Sequence, residues 1–340
     1  MSSLGDIEDF AALAPRITGS ISAVSSAMII FLICRSPTKL SKIYHRIMFG
    51  MSIADIMTSS AMALTTLPMP KNDDPVWSDK YDNDIKWEGQ TKLGNMRTCE
   101  AQGVIFTSGL QTMFAYNGML CIYYTCAIAF RMQEKGIRNK VEPFLHGVPL
   151  LLGLGPVIPC LLFAFYNPID EMPFCVFIPL SNNKLGSGLF ASIFRFLPLI
   201  SISVFLIIIL VSFSLIIWRV RKKEKCIPVA GADNQGDNIQ IENLTKAAHK
   251  NTKMISVQSA AYIGAFLLTL VFPLIRNITS QRLTPKLLGF YALMGKCMLI
   301  FSPMQGFFNF VIFLWHKGED DNCNKLSYAF RLSHSNIISL

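Results

Sequence analysis

The chain has 340 residues, of which 51% are apolar and only 16% are charged, and its mean hydropathy is +0.41. A soluble domain of this size carries about 25% charged residues. The charged residues are nearly absent from seven stretches, each close to or above the roughly 20 helical residues that cross a bilayer core. This pattern excludes a soluble enzyme, a disordered chain and a nucleic-acid-binding protein. The net charge of +9 is therefore taken to set orientation in a membrane rather than to bind phosphates.

These stretches predict an all-α membrane protein with a seven-transmembrane-helix bundle. Each stretch contains at most one Asp, Glu, Lys or Arg. Membrane-embedded strands are excluded because they need alternating segments of about ten residues in a closed barrel. The predicted spans cover residues 17–34, 47–70, 101–130, 143–169, 185–218, 254–275 and 287–315.

The loops predict the orientation of the bundle. The loops after the first, third and fifth spans and the C-terminal tail hold 19 Lys and Arg residues, whereas the N-terminus and the other loops hold 10. Because basic residues concentrate on the cytosolic side, the segment 1–16 is predicted to be extracellular and the tail 316–340 cytosolic. The chain is then a multi-pass membrane protein, predicted to reside in the plasma membrane.

Two of the nine cysteines are predicted to face the oxidising side of the membrane. Cys99 lies at the outer start of the third span and Cys175 lies in the second outer loop. A disulfide between them would close a long loop and hold the outer loop over the bundle, and the alternative is two free thiols. Cys323, in the cytosolic tail, is a candidate for palmitoylation.

Several motifs occur in the same order as in a known family. They are the Ser52-Ile53-Ala54-Asp55 run, prolines at 198 and 273, and the run Ser302-Pro303-Met304-Gln305-Gly306-Phe307-Phe308-Asn309. Together with the predicted spans, outer N-terminus and disulfide, they resemble the G-protein-coupled receptor superfamily over about residues 17–316. Tyr123-Tyr124-Thr125 stands where the rhodopsin branch has an acid–Arg–Tyr motif, and no Trp precedes Pro273. The likeness is therefore closer to the slime-mould cyclic-AMP-receptor-like and secretin-like branches.

The resemblance implies a receptor that binds a small extracellular ligand and signals to a cytosolic heterotrimeric G protein. We expect no enzyme activity, no cofactor and no metal, because the sequence has no metal-spaced His or Cys cluster, no Gly-rich phosphate loop and no paired-carboxylate site. The resemblance also implies a hydrated cluster of Asp55, Asn117 and Asn309 that binds a cation or proton and rearranges on activation. The alternative for Asp55 is a protonated, hydrogen-bonded structural acid.

Two cations inside predicted spans suggest where a ligand binds. Arg195 and Lys296 are predicted to lie at similar depths in the outer part of the membrane, where their positive charges would bind an anionic ligand. The other predicted ligand contacts are Gln102, Phe106, Phe194 and Phe290. A charged residue within a span is a functional-site hypothesis by default. Lys296 also allows an opsin-like photoreceptor with retinal on its amine, or a lysine that merely extends towards the surface.

Basic residues near the predicted cytosolic ends of the fifth and sixth spans suggest a partner on that side. They would form a cleft for a G protein, although anionic lipid headgroups favour the same pattern. A transporter or channel remains the rival class, and it would predict internal repeats and broken helices that meet at mid-membrane. The candidate contact residues are Arg219, Arg221, Lys222, Lys246 and Lys250.

Overall fold

The computed structural model describes most of the chain. The described residues are 2–71, 91–162, 165–169, 172–177, 189–225, 237–280, 287–315 and 317. For residues 2–9, 189–199, 220–225 and 237–255, among others, only the backbone is described.

Helices dominate the described residues. In chain order they are α1 (Ser2–Arg35), α2 (Ile43–Leu64), α3 (Met96–Tyr124), α4 (Glu134–Lys140), α5 (Glu142–Leu154), α6 (Val157–Leu162), α7 (Leu189–Lys225), α8 (Asp237–Ser280), α9 (Leu288–Phe301) and α10 (residues 305–315). A 3₁₀ turn at Lys39–Ser41 precedes α2, and another at Ser302–Met304 joins α9 to α10. A π-helical turn, Thr125–Ala129, continues α3.

Six helical segments within the described residues are long and apolar enough to cross a membrane. They are Phe10–Arg35, Ile43–Leu64, Glu142–Leu162, Ile200–Arg219, Ser256–Arg276 and Leu288–Trp315. Their outer faces carry large apolar side chains, such as Leu151, Ile207 and Val211, that are more than half exposed. Such faces suit contact with lipid rather than water. These six segments indicate a multi-pass membrane protein.

Helix α3 overlaps the predicted third span but is not among these six. It is central in the bundle and packs against α2, α5 and α7. Its buried side chains include the polar residues Gln102, Gln111, Thr112 and Asn117. Because its neighbours surround it, α3 does not need the apolar composition of a helix that faces lipid.

The fourth predicted span is shorter than the sequence suggests. The helix is interrupted at Gly155 and Pro156, where proline has no N–H to continue the hydrogen-bond ladder, and it ends at Leu162. Residues 166–169, expected to complete the span, instead form strand β1 (Tyr166–Ile169), and β1 pairs antiparallel with β2 (Met172–Phe177) in the outer loop that follows. The described fold is therefore helical with one small hairpin rather than purely helical.

The second predicted span also ends early. Helix α2 stops at Leu64 because Thr65 adopts a positive φ of 46°, which is strained for a β-branched residue. Contacts from two other helices hold Thr65 in place. Arg16 Nε donates to its hydroxyl at 2.7 Å, and Gln102 Nε2 donates to its carbonyl oxygen at 2.8 Å.

A disulfide joins the hairpin to the start of α3. Cys99 and Cys175 are both fully buried, and their Cα atoms lie 5.5 Å apart. Gln102 supports the same junction, because its Oε1 accepts a hydrogen bond of 3.0 Å from the Cys175 backbone N–H. The structure thus contains the bridge that the sequence predicts.

We expect replacement of both Cys99 and Cys175 by Ala to lower the free energy of unfolding by about 2–4 kcal/mol. The bridge joins residues 76 apart, so its loss frees a long loop in the unfolded chain. Thermal unfolding of the purified protein measures the effect, with Cys34→Ala as the control because Cys34 is an exposed free thiol. Equal melting of the two variants, or recovery of Cys99 and Cys175 as free thiols in the folded protein, would contradict the prediction.

Candidate functional site

Asp55 lies midway along α2 and is almost fully buried, with 1% of its surface exposed. Two serines of α1 supply hydrogen bonds to it. Ser26 Oγ donates to Asp55 Oδ2 at 2.6 Å, and Ser22 Oγ donates to the same oxygen at 3.2 Å. The two serines are four residues apart, which places both hydroxyls on one face of α1.

Gly306, at the start of α10, completes this group. Its backbone N–H donates to Ser22 Oγ at 2.9 Å. A Cβ at position 306 would overlap both Asp55 Oδ2 and Ser26 Oγ, so only glycine allows α10 to approach this closely. We call Ser22, Ser26, Asp55 and Gly306 the Asp55 cluster, and it joins α1, α2 and α10.

The Asp55 cluster gives a buried carboxyl group polar partners within the protein. An isolated ionised carboxylate in an apolar interior is costly, and a proton or a small cation removes most of that cost. The two serine hydroxyls can each donate to the carboxyl, or turn a lone pair towards a cation. The arrangement is therefore chemically able to hold either species.

A second polar group connects α10 to α8. Gln305 is fully buried; its Oε1 accepts from Thr269 Oγ1 at 2.8 Å, and its Nε2 donates to Asn309 Oδ1 at 3.1 Å. Ser302 Oγ donates to the Thr269 carbonyl oxygen at 3.3 Å. We call Thr269, Ser302, Gln305 and Asn309 the Gln305 cluster. It lies next to the Asp55 cluster in the chain, because Gln305 directly precedes Gly306.

The three residues predicted to act together, Asp55, Asn117 and Asn309, have separate hydrogen bonds. Asn117 Nδ2 donates to the Met113 carbonyl oxygen at 2.9 Å, one turn earlier on α3. Asn309 pairs with Gln305, and Asp55 pairs with the serines of α1. All three are buried, but the hydrogen bonds described for them do not connect them directly.

A third polar group lies near the start of α2. The hydroxyls of Tyr44 and Tyr262 are 2.9 Å apart, and Gln258 Nε2 donates to the Tyr44 hydroxyl at 3.0 Å. Tyr124 of α3 packs beside them, with its ring centroid 6.3 Å from that of Tyr44. We call Tyr44, Tyr124, Gln258 and Tyr262 the tyrosine cluster. All four of these residues are uncharged, and the hydrogen bonds of Tyr44 hold α8 against α2.

Two residues of the tyrosine cluster were missed by sequence reasoning, and so was Arg276. Tyr262 and Gln258 are large polar residues in a predicted span that has no charged residue, which is a signal that could have found them. Arg276 directly follows the predicted sixth span, where it resembles an ordinary flanking residue. Its guanidinium lies 5.0 Å from the Tyr291 ring centroid, and Nη1 is 3.9 Å from Met172 Sδ of β2.

The predicted ligand residues are spread over the end of the bundle near the hairpin. Phe106 packs on Phe174 of β2, with 5.0 Å between ring centroids. Gln102 donates both N–H groups of its side-chain amide, to the carbonyl oxygens of Ala61 and Thr65. It therefore holds α3 against the end of α2. Lys296 Nζ lies 5.6 Å from the Phe10 ring centroid of α1, and Phe290 is 44% exposed.

Other predicted site residues are described only in part. Arg219 lies over the neighbouring Trp218 ring at 5.1 Å. The described residues contain no group of three or more His, Cys, Asp or Glu side chains that could hold a metal ion. The predictions for the following side chains concern residues outside what the structure describes: Phe194, Arg195, Arg221, Lys222, Lys246, Lys250 and Cys323.

We expect Gly306→Ala to lower the free energy of unfolding by about 1–3 kcal/mol, the range for overpacking a filled interior. The added methyl group would push α10 away from Asp55 and Ser26. The matched control is Gly264→Ala on α8, where a Cβ meets nothing within 4 Å. Thermal unfolding of both variants measures the difference. Melting of Gly306→Ala at or above the temperature of Gly264→Ala would show that the close approach is not needed.

Comparisons with known proteins do not identify a family. No family model matches the chain, and no curated protein matches it. The function is therefore inferred from the buried clusters and from the helices that carry them.

Proposed function

We propose that the chain is a seven-transmembrane receptor of the plasma membrane that binds a small extracellular ligand and activates a cytosolic heterotrimeric G protein. One observation carries the proposal. Arg276, Thr269 and Tyr262 follow one another at intervals of seven residues on α8, so they share one helix face. That face contacts the hairpin end through Arg276, the Gln305 cluster through Thr269 and the tyrosine cluster through Tyr262.

The proposal includes α3 as a seventh span. Its 29 residues give a helix about 43 Å long, which exceeds the thickness of a bilayer core. Two of its glutamines have partners inside the bundle: Gln102 donates to a carbonyl oxygen of α2, and Gln111 accepts from Ser201 of α7. With seven spans and the basic loops inside, the hairpin end of the bundle is extracellular and the tyrosine cluster is near the cytosol.

In this scheme the ligand binds beneath the disulfide-linked hairpin. Phe106 and Phe174 supply apolar contact there, and Arg276 supplies a positive charge close to β2. The chemistry suits a small ligand with an apolar body and an anionic or carbonyl end. Arg276 joins the Arg195 and Lys296 of the sequence prediction as a candidate contact.

Movement of α8 would carry the signal across the membrane. Gln258 and Arg276 are 18 residues apart, about 27 Å along the helix. Pro273 removes a backbone hydrogen bond from α8 between Arg276 and Thr269, which lowers the cost of bending there. A ligand that shifts the Arg276 end would therefore strain the Thr269–Gln305 and Tyr44–Tyr262 contacts below it.

The tyrosine cluster would then act as a latch, because its hydrogen bonds hold α8 against α2 in the inactive state. Its contacts are hydrogen bonds between uncharged groups, in place of the ion pair of the rhodopsin branch. Opening it would separate α8 from α2 and expose a cleft lined by Arg219 and the neighbouring basic residues. The opsin alternative needs the Lys296 amine to face a chromophore, whereas Nζ lies over a ring of α1.

We expect Tyr262→Phe to raise the basal G-protein activity of the protein in the absence of ligand. Loss of one buried hydrogen bond of about 0.5–1.5 kcal/mol shifts the closed–open equilibrium roughly two- to tenfold towards the open state. The measurement is nucleotide exchange on a panel of purified G proteins, with the receptor reconstituted in vesicles. The matched control is Tyr123→Phe, which removes a neighbouring α3 hydroxyl without a described hydrogen bond to α8.

Two outcomes would contradict the proposal. The receptor function would be rejected if neither the parent protein nor Tyr262→Phe accelerates nucleotide exchange on any of the G proteins beyond the rate seen with empty vesicles. If Tyr262→Phe, Tyr123→Phe and the parent protein all accelerate nucleotide exchange equally, coupling to the G protein would stand. The role of the tyrosine cluster in holding the inactive state would then be rejected.

A further inference from the structure

One hydroxyl group of the tyrosine cluster has no partner. Tyr124 is 3% exposed, and its hydroxyl has no hydrogen-bond partner among the described residues. The hydroxyl oxygen is itself buried, so solvent does not reach it in this arrangement. The other members of the cluster are paired, because Gln258 donates to the Tyr44 hydroxyl, which lies 2.9 Å from that of Tyr262. Tyr124 is therefore the exception within the cluster.

The unpaired hydroxyl lies at the interface that the proposed movement of α8 would open. Tyr124 is the last residue of α3, which packs against α8. Its side chain belongs to the same buried cluster as Tyr44 of α2 and Tyr262 of α8. Tyr44 lies in the first turn of α2, so the tyrosine cluster is near one end of the bundle. Under the proposed function this end is cytosolic, and separation of α8 from α2 would admit water to it.

A second unpaired hydroxyl lies on α8. Ser259 is 1% exposed, and its Oγ is buried without a hydrogen-bond partner in the described part of the chain. Ser259 and Tyr262 are three residues apart, which places them on the same face of α8. Thus α3 and α8 each carry a buried hydroxyl that the closed arrangement leaves unpaired.

We propose that these two hydroxyls favour the open arrangement and thereby set the basal activity of the protein. A buried hydroxyl without a partner raises the free energy of the closed arrangement, whereas water would pair with it once α8 moves away. The hydrogen bonds of Tyr44 act in the opposite direction, because opening breaks them. The balance between the two effects sets the closed–open ratio. This role of the hydroxyls rests on the α8 movement of the proposed function.

Removal of an unpaired hydroxyl should therefore close the bundle rather than loosen it. We expect Tyr124→Phe to lower the open population, and with it basal nucleotide exchange, about fivefold, because the ring stays and only the unpaired group is lost. Ser259→Ala should act in the same direction. Tyr262→Phe should have the opposite effect, although it makes the same chemical change as Tyr124→Phe.

Thiol labelling measures the open population without a G protein. Cys126 is 8% exposed and belongs to the same buried cluster as Tyr124 and Tyr262. When reclosing is faster than labelling, a thiol reagent modifies Cys126 at a rate proportional to the open population. The protein is reconstituted in vesicles, with the other free cysteines replaced by Ala and the disulfide kept. Relative to the parent protein, labelling should be about fivefold slower in Tyr124→Phe, slower in Ser259→Ala and faster in Tyr262→Phe.

Two control variants separate this effect from a general change in packing. Tyr123→Phe removes the neighbouring hydroxyl of α3. Ser108→Ala removes another buried, unpaired hydroxyl, at a place where α3 meets Gly153 of α5 and the proposed movement opens nothing. Both variants should be labelled at the rate of the parent protein.

Unchanged or faster labelling of Cys126 in Tyr124→Phe would overturn the proposal, because a hydroxyl that merely stabilises the closed bundle gives that result. Slower labelling of Ser108→Ala by the same factor would also overturn it. If the labelling rates follow the expected order but no G protein shows exchange above empty vesicles, the G-protein function alone is rejected.

Discussion

Polar side chains inside this bundle must find partners within the protein, because the hydrocarbon core of a membrane offers none. The requirement accounts for the positions of the three clusters. Asp55 is satisfied by hydroxyls of α1, Gln305 by Thr269 of α8, and Tyr44 by Tyr262 and Gln258. The Asp55 cluster and the tyrosine cluster join helices that are distant in the chain. Their polar contacts therefore select one arrangement of helices whose apolar surfaces alone would pack in several ways.

The same requirement couples the clusters to one another. Gln305 and Gly306 are neighbours on α10, so α10 cannot move without affecting both Asp55 and Thr269. Thr269 and Tyr262 share a face of α8, which extends the coupling to the tyrosine cluster. A chain of contacts thus runs from the disulfide-linked hairpin, where Arg276 meets Met172, to the opposite end of the bundle. A switch requires such a chain of contacts to have two discrete arrangements, and under the proposed function a shift of α8 would supply the second one.

Most of the helical segments could be predicted from the sequence, because lipid-facing helices must be apolar over about 20 residues. Their ends could not, because they depend on distant contacts: Thr65 ends α2 while Arg16 and Gln102 hold it, and the hairpin replaces the end of the fourth span where Cys175 meets Cys99. Asp55 was found as a lone acid in an apolar span. Its partners Ser22 and Ser26 are common residues in membrane helices, and the role of Gly306 follows only from its distance to Asp55.

The central claim is that α3 crosses the membrane as the polar centre of a seven-helix bundle. Side-specific thiol labelling tests it most directly, with single cysteines at Leu93→Cys and Lys135→Cys, on either side of α3. The background replaces the free cysteines with Ala and keeps Cys99 and Cys175. In intact cells, an impermeant reagent should label Leu93→Cys, and should label Lys135→Cys only after permeabilisation. Labelling of both positions from the same side would show that α3 does not cross the membrane.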